Sequence, residues 1–131
     1  MSRPLVEIEI DGKKLNALLD TGAHRSYIRE QIVEKFPKGP VEPFEVKLGG
    51  EILKFGEVRM VSGVVKDSRG RRYRFTEHLF EVKDLGEENG KRIDALLGAR
   101  VLEDWGTQID ESVTPPDIDF RILRKGVLFE L

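Results

Sequence analysis

Cysteine is absent from the 131 residues, which excludes a disulfide framework and thiol chemistry. Histidine occurs only twice, as His24 and His78, and so small a supply argues against a His-rich zinc site. No metal or organic cofactor is expected. No apolar run approaches the roughly 18 residues a membrane span needs, and the N-terminus lacks the apolar core of a signal peptide. The expectation is a soluble, cytoplasmic protein with no membrane partner. An excess of either charge is missing too, because 22 basic and 24 acidic residues leave a formal net charge of -2. Without a global field there is no general attraction to nucleic acid, and the partner must be sought in a local site.

The chain does have enough material for a core. With 39% hydrophobic and 8% aromatic residues, it is expected to form a single domain over residues 1–131 without covalent staples. Leu5 to Ile10 alternates apolar and acidic residues, Asp11-Gly12 is a hairpin signal, and Leu15 to Leu19 resumes as an apolar strand. Ser26-Tyr27-Ile28 is a short strand, and Arg29 to Phe36 carries Ile32, Val33 and Phe36 at helical spacing up to Pro37. Pro37, Gly39, Pro40 and Pro43 predict a loop. Phe44 to Leu48 alternates again until Gly49-Gly50, and Ile52 to Val64 continues in short extended pieces broken at Gly56 and Gly63. Beyond a turn at Asp67 to Gly70, Tyr73 to Val82 predicts a strand and Leu85 to Arg92 a loop. Ile93 to Leu97 is an apolar strand, followed by one or two helical turns from Ala99 to Trp105. Thr107 to Asp110 and Asp119 to Leu123 read as strands separated by Pro115-Pro116, and Val127 to Leu131 forms a last apolar run.

One segment carries chemistry. In Leu18-Leu19-Asp20-Thr21-Gly22-Ala23 an apolar strand delivers a carboxylate into a tight turn. Glycine lets another backbone approach, exposed N–H groups beyond the turn can hold a carboxylate in plane, and the Thr21 hydroxyl can bond a facing loop. Later in the chain Asp94-Ala95-Leu96-Leu97-Gly98-Ala99 echoes the pattern. Peptide hydrolysis by carboxylates needs one ionised group to take a proton from water and one protonated group to polarise the carbonyl. Two carboxyls about 3 Å apart share one proton and divide these roles, as is established for aspartic-peptidase dyads. This sequence holds a single Asp-Thr-Gly, which is half of such a pair.

With that context around Asp20, the chain resembles the retropepsin-like aspartic peptidases, single-domain homodimeric relatives of pepsin, from about Leu5 to Leu131. The resemblance implies a mostly β fold, a retropepsin-like closed or half β-barrel with one or two short helices. It implies an aspartic endopeptidase acting on a polypeptide substrate through a water activated by an Asp dyad formed across a homodimer. Asp20 would be the catalytic aspartate, Thr21 the residue interlocking with its symmetry mate, Gly22 a substrate backbone contact, and Ala23 part of the supporting turn. Leu48-Gly49-Gly50-Glu51-Ile52 would match the tip of the flap that closes over bound peptide, giving Gly49, Gly50 and Ile52 as substrate contacts. Leu96-Leu97-Gly98 would match the apolar-apolar-Gly segment behind the catalytic loop, with Leu97 at the substrate site. Met1 to Leu5 and Val127 to Leu131 would supply the dimer strands.

The chain departs from the family in places. His24 stands where many members carry an acidic residue or Ser, and it is a candidate for binding a substrate carbonyl or terminal carboxylate. Arg100 follows Gly98-Ala99 where Arg or Asp often comes sooner. Ala23 replaces the hydroxyl residue of pepsin-like enzymes, so one donor to the aspartate is missing and a less acidic optimum than pepsin's is expected. His78 is expected to be structural or exposed, Asp94, Asp104 and Asp110 to be caps, turns or solvated charges, and Trp105 to pack in a core or interface. Arg69 to Arg74 is locally basic, which a charged hairpin tip explains better than RNA binding. The alternative function is a non-catalytic peptide-binding or dimerisation module with the same fold.

Overall fold

The computed structural model describes residues 3–127. Strand β1 (Leu5–Ile10) turns through Asp11 and Gly12, both at positive φ, into β2 (Lys13–Leu19). The hairpin register places Leu5 opposite Leu18 and Ile10 opposite Lys13. Strand β1 alternates half-buried and buried residues, as a strand with one core face should. The apolar run Ala17-Leu18-Leu19 is buried throughout because both faces of β2 are covered.

After β3 (Tyr27–Arg29) comes a single helical turn, α1 (Glu30–Val33). The expected helix from Arg29 to Phe36 is therefore shorter at both ends. Strand β4 (Lys38–Leu48) runs antiparallel to β5 (Glu51–Lys66), with a register shift between Pro40 and Phe44. The loop expected over residues 37–43 is thus mostly strand, and the expected short pieces from Ile52 onward are one long strand. Strand β6 (Arg72–Val82) pairs with β5, and the expected loop Leu85 to Arg92 contains a small hairpin, β7 (Glu87–Glu88) and β8 (Lys91–Arg92).

Strand β9 (Ala95–Leu97) leads into α2 (Ala99–Asp104). Strands β10 (Thr107–Asp110) and β11 (Asp117–Phe120) pair with each other, and α3 (Arg121–Lys125) follows. The strand expected from Asp119 to Leu123 stops at Phe120. There Arg121 and Ile122 donate their N–H groups to the carbonyls of Gly106 and Trp105, and α3 closes on Gly126 at φ 64. The dimer strands expected at Met1 to Leu5 and Val127 to Leu131 lie largely outside the described residues.

The main sheet runs β1-β2-β9-β3-β6-β5-β4, and β1 also pairs with β5 through Ile8↔Val65 and Glu9↔Val64. That pairing closes six strands into a barrel and leaves β4 on the outside. Gly63 marks the closure: a Cβ there would lie 2.6 Å from the Glu9 carbonyl oxygen, so only glycine lets β1 approach.

Alternation divides the apolar residues between two cores. Ile8, Ala17, Leu19, Ile28, Leu79 and Leu97 fill the barrel, with Trp105 packed on Phe75 and edge-on to Phe120. Leu18, Tyr27, Phe80 and Leu96 face the other way and meet Phe44, Val46, Leu53 and Phe55 from the β4–β5 hairpin. Each fully buried side chain of this size contributes about 1.5–3 kcal/mol of transfer free energy.

Candidate active site

Asp20 stands at the end of β2, where β2 lies parallel to β9 with Leu19 opposite Leu97. Its N–H donates to the Leu97 carbonyl at 3.0 Å, so the aspartate's main chain is fixed to β9. The chain then reverses: Ala23 N–H donates to the Asp20 carbonyl at 3.2 Å, and Gly22 N–H donates to Asp20 Oδ1 at 2.9 Å. One carboxylate oxygen is therefore held by the turn it opens. Asp20 is half-buried and Thr21 and Gly22 are exposed, so the carboxylate and the Thr21 hydroxyl are presented at a surface. A Cβ on Gly22 would sit 3.2 Å from Asp20 Oδ1 and crowd this contact.

Gly98 locks the turn from behind. A Cβ at this position would lie 2.1 Å from the Arg25 carbonyl oxygen and 2.8 Å from that of Ala23, closer than any side chain could be accommodated. Around that contact Ala99 N–H donates to the Ala23 carbonyl at 2.7 Å and Arg100 N–H to the His24 carbonyl at 3.2 Å. Gly98 N–H donates to the buried Ser26 Oγ at 2.9 Å, and Phe80 N–H to the Ser26 carbonyl at 3.0 Å. Segment 20–26 is thus pinned to β9, β6 and the start of α2.

The β4–β5 hairpin projects over the second core. Leu48 pairs with Glu51 across a two-residue turn, and Gly49 and Gly50 have φ of 59 and 86. This left-handed pair is the turn that matches strand twist, and glycine adopts it without strain. Both glycines are exposed, as is Ile52 at 62%. Lower down, Phe44 stands edge-on to Phe80 at 5.0 Å and Phe55 contacts Tyr27 at 5.7 Å. The hairpin's base is therefore stacked on the strands that carry the Asp20 turn.

The expected site residues fall into three groups. Asp20, Thr21, Gly22 and Ala23 are contiguous in one turn, and Gly49, Gly50 and Ile52 lie at the hairpin tip. Leu97 differs from expectation. Strand alternation turns its side chain into the barrel core, where it is 1% exposed, and it is Leu96 that faces the hairpin-side core. The main chain of Leu97, not its side chain, meets the site. His24 is exposed, and His78 is exposed on β6.

Asp94 is not a solvated charge. It is 7% exposed, its Oδ1 accepts from Arg29 Nη2 at 2.7 Å and Nε at 3.1 Å, and its Oδ2 accepts from Asn16 N–H at 2.8 Å. This pair joins β2, β3 and the residue before β9, at the opposite end of β9 from the Asp20 turn. Sequence reasoning also passed over Ser26, whose only local signal is a polar residue at the head of an apolar strand. Among the described residues no group of three His, Asp or Glu side chains could hold a metal ion. No helix among them is long and apolar enough to cross a membrane.

A closed six-stranded barrel, an Asp-Thr-Gly turn at a strand end and a glycine-tipped hairpin above it define a retropepsin-like fold. The model of the retroviral aspartyl protease family matches residues 1–110, and the chain belongs to that family. No curated protein sequence matches it. A similar solved structure, the EIAV protease complexed with an inhibitor, is 22% identical, covering 79% of this chain and 88% of that one with a TM-score of 0.46.

Proposed function

We propose that the chain is an aspartic endopeptidase, a single retropepsin-like domain that works as a homodimer. The observation that carries this reading is Asp20 itself: a carboxylate at a strand end, one oxygen held by Gly22 N–H and the backbone fixed to Leu97. One such carboxylate cannot be general base and general acid at once. A second copy related by a two-fold axis would bring its own Asp20 alongside, and the Thr21 hydroxyls would bond across the axis. The paired carboxyls then share a proton. One takes a proton from the bridging water, the other hydrogen-bonds the scissile carbonyl, and the proton passes to the leaving amine as the tetrahedral intermediate collapses.

Under this reading Gly22, His24, Gly49, Gly50 and Ile52 contact an extended peptide, whose main chain hydrogen-bonds the hairpins while alternate side chains enter pockets. The glycine tip supplies the mobility a closing flap needs. Cleavage of a diverse peptide mixture between about pH 3 and 7, beside an Asp20→Asn control, tests the proposal. Loss of cleavage in the control supports the peptidase. A dimer of confirmed size that binds peptides without cutting them would instead favour the non-catalytic binding module.

A further inference from the structure

A cavity lies beside the Asp20 turn, away from its carboxylate. It encloses about 590 Å³ between residues 25–26, the base of the β4–β5 hairpin, β6 and α2. That volume suits a side chain or small ligand. Val58, Phe80 and Val101 supply apolar lining, and Arg25, Arg100 and Lys38 line the cavity as well.

Two of the cavity's three Lys and Arg residues lack an ion pair among the described residues, while the third, Lys38, lies 3.7 Å from Glu57. Of the chain's twelve arginines, Arg3, Arg29, Arg59, Arg69, Arg71, Arg72 and Arg124 are in ion pairs with carboxylates. Arg25, Arg74, Arg92, Arg100 and Arg121 have no ion pair among the described residues, and of these Arg25 and Arg100 line the cavity. Arg25 is not simply solvated. It is half-buried, and its guanidinium carbon lies 4.0 Å from the centre of the Phe44 ring. Stacking orders the guanidinium while leaving its N–H edge unused, the state in which an arginine best accepts a carboxylate.

Two acids also line the cavity, Glu77 and Asp104. Glu77 is engaged, since its Oε2 accepts from Trp105 Nε1 at 2.9 Å, and burial raises its pKa. With Lys38 beside Glu57 and Glu77 held by Trp105, the donor edges left to receive a ligand in this lining are the guanidinium groups of Arg25 and Arg100, and such edges take a carboxylate.

Resting on the peptidase reading, we infer that this cavity is a subsite for an acidic side chain of the substrate, with Arg25 and Arg100 as its carboxylate receptors. The occupant is a residue of the bound peptide because Arg25 follows directly on the Asp20 turn and stacks on Phe44 of the flap strand. The same contact couples occupancy to the flap: a carboxylate on Arg25 holds the guanidinium against Phe44 and steadies the hairpin over the peptide.

The test uses matched peptides carrying Glu, Gln or Lys at one position at a time. For the wild-type protein, kcat/KM should be about tenfold higher for Glu than for Gln at one position, the size of a charge-assisted pair. Arg25→Gln and Arg100→Gln should each shrink that ratio, and Arg100→Glu should turn the preference towards Lys, a gain that misfolding cannot imitate. A Glu/Gln ratio near one at every position in wild type overturns the inference. Fluorescence anisotropy with the Asp20→Asn protein supplies a readout independent of cleavage. Tighter binding of the Glu peptide there, lost in the Arg100→Gln background, supports the subsite even where no peptide is cut. Equal binding of the Glu and Gln peptides overturns it, as does saturation by inorganic phosphate or glutarate without any peptide preference, which assigns the cavity to a free anion.

Discussion

Gly98 shows how one missing Cβ sets the position of the aspartate. Gly98→Ala must push the backbone of residues 23–25 away, because the new carbon would sit 2.1 Å from the Arg25 carbonyl oxygen. Urea unfolding should show a loss of about 3 kcal/mol, the upper part of the range for substitutions that force a backbone shift in a packed interior. A loss under about 1 kcal/mol would mean that the turn yields easily. Ser26→Ala is gentler: it leaves the buried Gly98 N–H without its acceptor and should cost about 1–3 kcal/mol by the same measurement. At this scale the Asp20 turn was legible because it is local, a carboxylate and the N–H groups that hold the turn within four residues. Ser26 and Asp94 were not, since their partners lie 72 and 65 residues away and nothing in their own neighbourhood announces them. Leu97 was placed on the wrong face because β9 is apolar on both sides, which hides the alternation that would have separated Leu96 from it.

The β4–β5 hairpin is anchored at its base and exposed at its tip. Phe80→Ala would remove the ring that Phe44 and Phe55 stand on, 5.0 and 5.3 Å away. The expected cost is about 3 kcal/mol in thermal or denaturant unfolding, with faster hydrogen exchange along residues 44–55. Unchanged exchange there would detach the hairpin from the second core. Replacing Gly49 and Gly50 together by Val puts branched side chains at positive φ, which costs about 1–2 kcal/mol per residue. The element pattern explains where sequence periodicity fell short. Proline signals a loop, yet β4 contains Pro40 and Pro43, tolerated because one edge of β4 is unpaired among the described residues. Glycine signals a break, yet β5 runs through Gly56 and Gly63, the latter because β1 crosses there. Strand β11 gives way to α3 because the segment must turn to meet the Trp105 and Gly106 carbonyls, a tertiary demand absent from the local sequence.

For the molecule as a whole, charge pairing sets the response to pH. Glu9 and Glu88 have lowered pKa values through hydrogen bonds from Arg72 and Arg3, and Asp119 through one from Arg124. Their stabilisation is present above the ordinary carboxylate range and is lost as pH falls through the lowered values. Glu77 acts in the opposite sense. Its pKa is raised above 4.5 by burial, with Asp104 adding to the effect and Trp105 and His78 opposing it, so the folded state binds the extra proton and its contribution weakens as pH rises. Glu77→Gln keeps an acceptor for Trp105 and should flatten the stability profile above pH 4.5. A profile that stays parallel to wild type would refute the assignment. The strands and the single Asp-Thr-Gly were readable from patterning, whereas the closed barrel was an expectation of the family resemblance, because closure depends on the long-range pairing of β1 with β5. The deciding measurement is peptidase activity at fixed total protein as wild type is replaced by Asp20→Asn. If each site draws one carboxylate from each of two copies, activity follows the square of the wild-type fraction, falling to about a quarter in an equal mixture. A linear fall to about half would contradict the shared dyad and assign the chemistry to a single chain.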